Sequence, residues 1–426
     1  MTDTWLPADT TKHIDVQVAF DDSRIGFRFE WAQPDPGGWL HDMLVYTDGE
    51  WQQFADPSPW VAAGDQGHTG FYEDRVSFFL DDGSVRGFEE FGGWLTVHPG
   101  MRSLPSEVDA ETVRAHPHYG ADGLDKDDIR KFLPQAVGGE WWENDWRAVR
   151  PQAELDALKR DGVFLDLPMW RAHRSDPLDY GTDHHVLDYR HSDAGHNTYG
   201  TQDWTPTGGP EYMFDPDVVP DGALDYHAVA DGDIPTQGTD TYALEPDATV
   251  PFDSAVGEWE GAMIPRRPLR YPAGSAADWT ATGTWRDGTW TVELWRTLQT
   301  AHPEDTKQLE PGGVYTWSPA VHHGAGQRWH WVGYPYRLGL ATEPTPVSDA
   351  AEHRTTLVAH RFTGDAPDWA DHPTDTLPLV FPGVMSWSDL TDDSQPYAQA
   401  VRNLETTMWD ILPPSEAAFD RASRSG

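Results

Sequence analysis

Two stretches set histidine and methionine beside glycine and aromatic residues. They are Gly92-Gly93-Trp94-Leu95-Thr96-Val97-His98-Pro99-Gly100-Met101-Arg102 and Gly326-Gln327-Arg328-Trp329-His330-Trp331-Val332. Imidazole nitrogen and thioether sulfur are donors that hold haem iron from opposite walls of an apolar slot, with cations for the propionates and rings against the macrocycle. Each histidine also has an ordinary reading as a structural hydrogen-bonding residue, and Met101 as a core filler. A second cluster, Asp183-His184-His185 with Asp188, His191, Asp193 and His196, has metal-ligand residue types. Its spacing fits no regular ligand pattern, so exposed loop histidines are the first expectation. The carboxylates of Asp125–Asp128 and Asp392-Asp393 lack the spacing of a calcium loop and read as solvated faces.

Other chemistries are excluded or unsupported. No Gly-rich phosphate loop, Gly-x-Ser-x-Gly elbow or His-Glu-x-x-His is present. With no cysteine, thiolate zinc sites, iron–sulfur ligation and covalent haem attachment through thioethers cannot occur. The 426 residues carry 30 Lys+Arg against 71 Asp+Glu, a formal charge of −41 that repels nucleic acid. The acid excess runs from Asp3 to Asp420 and lysine is scarce, which suits a hydrated surface in concentrated salt and points to a halophile. No run of about 18 apolar residues suggests a membrane span, and the N-terminus has no basic stretch followed by an apolar one. A soluble protein with no export signal of its own is expected.

The elements that must position these residues are mostly strands. Ile14–Phe20 and Ile25–Trp31 alternate with period two around Asp21-Asp22, and Trp279–Trp285 returns through Asp287-Gly288 as Trp290–Trp295. Further strands are expected at Asp74–Leu80, Val314–Val321, Trp329–Tyr336 and Thr355–Phe362. Helices are expected at Asp125–Phe132, Pro151–Arg160 and Tyr397–Leu412, and the Gly-, Pro- and Asp-rich stretch 176–270 reads as long ordered loops. Glu343-Pro344-Thr345-Pro346 resembles a linker. It divides a β domain with inserted loops, 12–345, from a C-terminal extension, 346–426, with its helix near 397–412.

Several segments, in this order along the chain, resemble the haem-binding subunit family of ethylbenzene dehydrogenase. They are Tyr72–Leu80, Gly92–Arg102, Met169-Trp170-Arg171-Ala172-His173-Arg174-Ser175, Trp290-Thr291-Val292 with Arg296–Thr300, and Ala320-Val321-His322-His323 with the run to Leu338-Gly339-Leu340. The resemblance implies a mainly β fold, a two-sheet antiparallel β-sandwich with long loop insertions and a few helices. It also implies a haem-carrying electron-transfer subunit beside an iron–sulfur subunit and a molybdenum catalytic subunit, passing electrons to or from an external redox carrier and catalysing nothing itself. Better-known members pair a methionine with a lysine, and His330 falls where that lysine is expected. No lysine follows Lys307, so a Met/Lys pair would need Lys307. Gly93 and Val97 stand where other relatives carry haem-attaching cysteines, while His98 remains. One non-covalent haem b is therefore expected, with His330 and either His98 or Met101 as axial ligands, and Arg102, Arg171, Arg174 and Arg328 as candidates for its propionates.

Respiratory nitrate reduction in a salt-loving archaeon is the assembly expected. An outward-facing complex would require export folded on a signal-bearing partner; cytoplasmic residence is the simpler reading of the N-terminus. A competing expectation is a carbohydrate-binding β-sandwich using Trp39, Trp51, Trp60, Trp141, Trp142 and Trp146 as stacking platforms.

Overall fold

The computed structural model describes residues 11–39, 42–53, 73–97, 108–129, 131–235, 242–323, 330–340, 356–381 and 387–413. Fourteen of the described strands form one hydrogen-bonded sheet. In chain order they are β1 (Thr11–Phe20), β2 (Arg24–Ala32), β3 (Arg75–Asp81), β4 (Leu165–Asp166), β5 (Met169–Arg171), β6 (His184–Val186) and β7 (Arg190–Ser192). They continue as β8 (Thr280–Arg286), β9 (Thr289–Thr297), β10 (Val314–His322), β11 (His330–Gly333), β12 (Tyr336–Leu340), β13 (Thr356–Arg361) and β14 (Asp375–Val380).

Both expected hairpins form. Asp21 Oδ1 accepts the Ser23 and Arg24 amides at 2.7 and 2.9 Å, closing the β1–β2 turn. Asp287 and Gly288 take φ of 51° and 84°, the left-handed pair that a two-residue turn needs between β8 and β9. These hairpins make one wing, β8-β9-β2-β1, and the other runs β10-β3-β4-β6-β7 with β5 beside β3. Two bridges join the wings, β13 with β12 and β14 with β11. Pairing is antiparallel except β1 with β13 and β12 with β13.

The wings pack face to face as a sandwich. Phe27 and Phe29 of β2 meet Phe78 of β3 and Trp317 of β10, with the Phe27 and Phe78 ring centroids 4.7 Å apart. Because side chains alternate across a strand, Phe78 and Trp317 facing inward send Arg75, Ser77 and Phe79 to the outer face. A helix, α1 (Phe88–Thr96), covers part of that outer face against β10 and β11. A Cβ on its Gly93 would stand 2.2 Å from the Phe79 ring, so the close approach needs glycine.

Some expectations fail for identifiable reasons. The stretch read as a Gly92–Arg102 loop begins as α1, in which Gly92 breaks the helical path with φ 65°. No helix forms over the described part of Asp125–Phe132, where Asp125 itself is left-handed at φ 54°. The expected 397–412 helix is two short ones, Ala398–Arg402 and Met408–Ile411. Leu404 turns left-handed between them at φ 57°, and Thr407 with Asp410 forms a capping box that starts the second. Pro151–Arg160 is helical from Gln152. The 176–270 region supplies β6 and β7, and two strands of a four-stranded sheet, Leu224–Asp225 and Ala262–Pro265, with Met43–Thr47 and Glu50–Gln53. Strands of two to four residues are too short to show a period.

A buried carboxyl locks the wings together at Trp170. Asp176 Oδ1 accepts the Trp170 indole N–H and the Gly283 amide, each at 2.6 Å. Burial pushes its pKa up to about 7 in spite of those donors. The folded state thus keeps this proton to higher pH than the unfolded chain, and stability falls as pH rises from about 4 to about 7. Asp176→Asn keeps the acceptor and removes the charge, so heat denaturation at pH 8 should show it more stable than wild type by roughly 2–4 kcal/mol. Equal melting temperatures at pH 8 would refute this.

Candidate functional site

Register across four strands assembles one transverse row. His330 of β11 pairs with His322 of β10, His322 with Arg75 of β3, and Arg75 with Arg171 of β5. Directly paired residues share a face, so two imidazoles and two guanidiniums stand side by side on the face that α1 covers. The His322 and His330 rings stack at 4.5 Å with 10° between planes, both buried. His322 Nδ1 is buried and makes no hydrogen bond. Burial, then the neighbouring His330, Arg75, Lys131 and Arg171, holds the His322 pKa well below its usual value. Its imidazole is therefore neutral near pH 7, the form that ligates a metal.

The arginine end is built around Glu73, which is fully buried. Its Oε2 accepts the amides of His173 and Arg174, both at 3.0 Å. Its Oε1 accepts Arg174 Nε at 2.6 Å, with Arg171 Nη1 and Arg75 Nε each 3.7 Å away. Glu73 thus faces the buried guanidiniums of Arg75 and Arg171 and the partly buried one of Arg174, and Arg190 adds its field. Tyr199 reports the surplus of positive charge. Burial opposes its ionisation, but Arg171, Arg174 and Arg190 outweigh burial and bring the phenol down to about 7. The Arg174 guanidinium lies 4.7 Å from the Tyr199 ring centroid. One tyrosine should titrate near pH 7 by ultraviolet difference absorbance, and Tyr199→Phe should abolish that step. Because the folded pKa is depressed, wild type should gain stability over the variant as pH rises from about 7 to 10. A titration with no tyrosine ionising below pH 9 would contradict it.

Of the residues singled out in the sequence, His330, Arg171 and Arg174 are brought together here. His98, Met101, Arg102 and Arg328 lie outside the described residues, as does Trp60. Val97, which precedes His98, accepts the Phe132 amide through its carbonyl at 3.4 Å. Lys131, the neighbour of Phe132, acts electrostatically on His322. Lys307 is committed elsewhere: its Nζ donates to Asp82 Oδ1 at 2.6 Å, Gly162 O at 2.7 Å and Ser84 Oγ at 2.8 Å. His323 binds Asp74 Oδ1 at 2.8 Å, a structural contact.

Sequence reasoning missed His322 as a candidate donor and missed Arg75, Arg190, Glu73 and Tyr199. The alternation of Arg75, Ser77 and Phe79 against Phe78 could have placed Arg75 on the outer face, but its opposition to His322 depends on register. The exposed-histidine expectation for 183–196 is also corrected. His184 and His185 are buried, and Asp188 receives His118 and His191 at 2.7 and 2.9 Å. The platform expectation fails for Trp39, Trp51, Trp141 and Trp146, all buried in hydrophobic clusters where no sugar can stack.

The fold is a mainly β sandwich that sets imidazoles and guanidiniums in one row on a sheet face. The family model described as Ethylbenzene dehydrogenase matches residues 6–333, and the chain belongs to that family. No curated protein matches the chain. No described helix is long and apolar enough to cross a membrane.

Proposed function

We propose that this chain binds one non-covalent haem b and serves as an electron-transfer subunit of a molybdenum oxidoreductase complex. The observation that carries the reading is the row His330–His322–Arg75–Arg171. It sets the neutral His322 imidazole and the stacked His330 ring beside the guanidiniums of Arg75 and Arg171 on one face of the sheet. When bound, haem supplies a one-electron redox centre. One imidazole of the stacked pair would offer a nitrogen to the haem iron, with His98 or Met101 as the candidate second donor. Stacked in parallel on one wall, His322 and His330 cannot be the two opposed donors themselves. Arg171 and Arg174, already oriented by Glu73, offer N–H groups to the propionates, with Arg102 and Arg328 as further candidates. α1 packs against β10 and β11, the strands that carry the two histidines.

The complex would place this subunit between an iron–sulfur subunit and an external redox carrier, with the molybdenum subunit catalysing the reaction. Respiratory nitrate reduction in a halophile, with export on a signal-bearing partner, is the physiological setting proposed. The test is the visible spectrum of the protein purified in high salt, oxidised and then reduced, with a pyridine haemochrome assay. A sharp reduced α-band and a b-type haemochrome are expected. A colourless protein that takes up no added haemin would overturn the reading.

A further inference from the structure

On the far side of β6 lies a second buried cluster that the row above does not use. His185, Asp193 and Asp305 are each under 5 % exposed, and one donor atom from each lies within 4.8 Å of the others. They come from three places in the fold: β6, the residue just after β7, and the loop between β9 and β10. Each is already oriented by a neighbour. His185 Nδ1 is 2.6 Å from Asp193 Oδ1, and Asp305 Oδ2 accepts the Ala194 amide at 3.1 Å and Ser275 Oγ at 2.8 Å.

The second observation concerns the oxygens left over. Asp193 Oδ2 and Asp305 Oδ1 are buried without any hydrogen-bond partner, while the neighbouring Asp166 and Asp183 carboxyls hydrogen-bond each other. Asp166 and Asp183 are fully buried. Arg296 Nη2 stands 4.0 Å from Asp166 Oδ2, Lys159 acts electrostatically on Asp193 and His185, and Lys307 is held by Asp82 and Asp81. Four carboxyl groups buried together, two of them with an unsatisfied oxygen, are costly to hold charged without a counter-ion. Burial and mutual repulsion accordingly push Asp183 and Asp193 far above the usual carboxylate range. A cation placed among them removes the penalty at a stroke.

We propose that His185, Asp193 and Asp305 form a binding site for a divalent cation, with Asp183 and Asp166 as flanking carboxylates. A single imidazole with several carboxylate oxygens suits Mn2+ or Zn2+ better than the all-oxygen shell preferred by Ca2+ or Mg2+. The ion would pin the β6–β7 edge to the loop carrying Asp305. Its role would be structural, since its three ligands are themselves buried.

The test uses the full-length chain, freed of metal by chelator and titrated with Mn2+, Zn2+ and Ca2+. One equivalent of Mn2+ or Zn2+ is expected, raising the melting temperature by about 3–5 °C at 100-fold excess over Kd. Asp193→Asn and Asp305→Asn should each weaken binding at least about tenfold, whereas the exposed Asp392→Asn should not. Electron spin-echo modulation of the Mn2+ complex should show one histidine nitrogen, a readout on the wild-type chain that needs no variant to fold. Absence of saturable binding by Mn2+ and Zn2+ would overturn the proposal, leaving the carboxylates to share protons. Undiminished affinity in both folded variants, or a Mn2+ complex with no histidine nitrogen, would overturn it equally.

Discussion

Replacing His330 or His322 by alanine is expected to lower haem occupancy on the order of tenfold or more in whichever variant removes the axial ligand. The reason lies in the stacked geometry. The two parallel rings stand 4.5 Å apart on adjacent strands, so in the proposed site one ring would ligate and the other would support it. Even an outer-shell partner of a metal ligand is worth roughly 10–100-fold in affinity, so the ligand itself sets the larger effect. The supporting histidine should instead shift the potential and the Soret position while haem stays bound. Added imidazole should restore the six-coordinate spectrum of the ligand variant and leave the other unchanged. His98→Ala and Met101→Ala then identify the donor from the opposite wall. The assignment fails if both His330→Ala and His322→Ala keep the wild-type spectrum and haem content.

The largest effect on stability is expected from Glu73→Gln. The substitution nearly preserves volume, but it removes the carboxylate that faces Arg75, Arg171 and Arg174 in a fully buried position. Breaking a buried ion cluster by removing one partner strands the opposite charges, and comparable cases lose about 3–5 kcal/mol. Chemical denaturation of the haem-free chain at pH 7 should show a loss of that size. The pH dependence gives an independent check. Burial works against the Glu73 carboxylate, but Arg174 and Arg171 outweigh it and hold its pKa below the usual value. Its stabilisation is therefore complete above the unfolded pKa near 4.5 and disappears as pH falls through the lower folded value. Wild type should converge on Glu73→Gln in acid. If arginines of this cluster receive propionates, haem should also offset part of the loss, making the variant relatively more stable loaded than empty. A variant as stable as wild type at pH 7 would show that the arginines do not depend on Glu73.

The chain's own residues made several features legible. Period-two alternation with Asp-Asp and Asp-Gly turns determined both hairpins, because a strand's side-chain period and a tight turn's backbone angles are local properties. Absence of cysteine settled which ligand chemistries are unavailable, and the order of segments pointed to the family whose model matches residues 6–333. The break within 397–412 was not read, although Thr407 followed by Asp410 is a capping signal that the apolar stripe obscured.

Tertiary structure decided the rest. Arg75, Arg171, His322 and His330 lie far apart in sequence and meet because of strand register, which depends on how long-range pairings are satisfied together. The polar composition of 176–270 suggested solvent-exposed loops, yet that segment buries His184, His185, Asp183 and Asp193. Composition reports the average affinity of a segment for water. Whether a particular carboxylate meets water, an arginine or another carboxylate is fixed by packing partners from elsewhere in the chain, and those partners determine its charge and its chemistry.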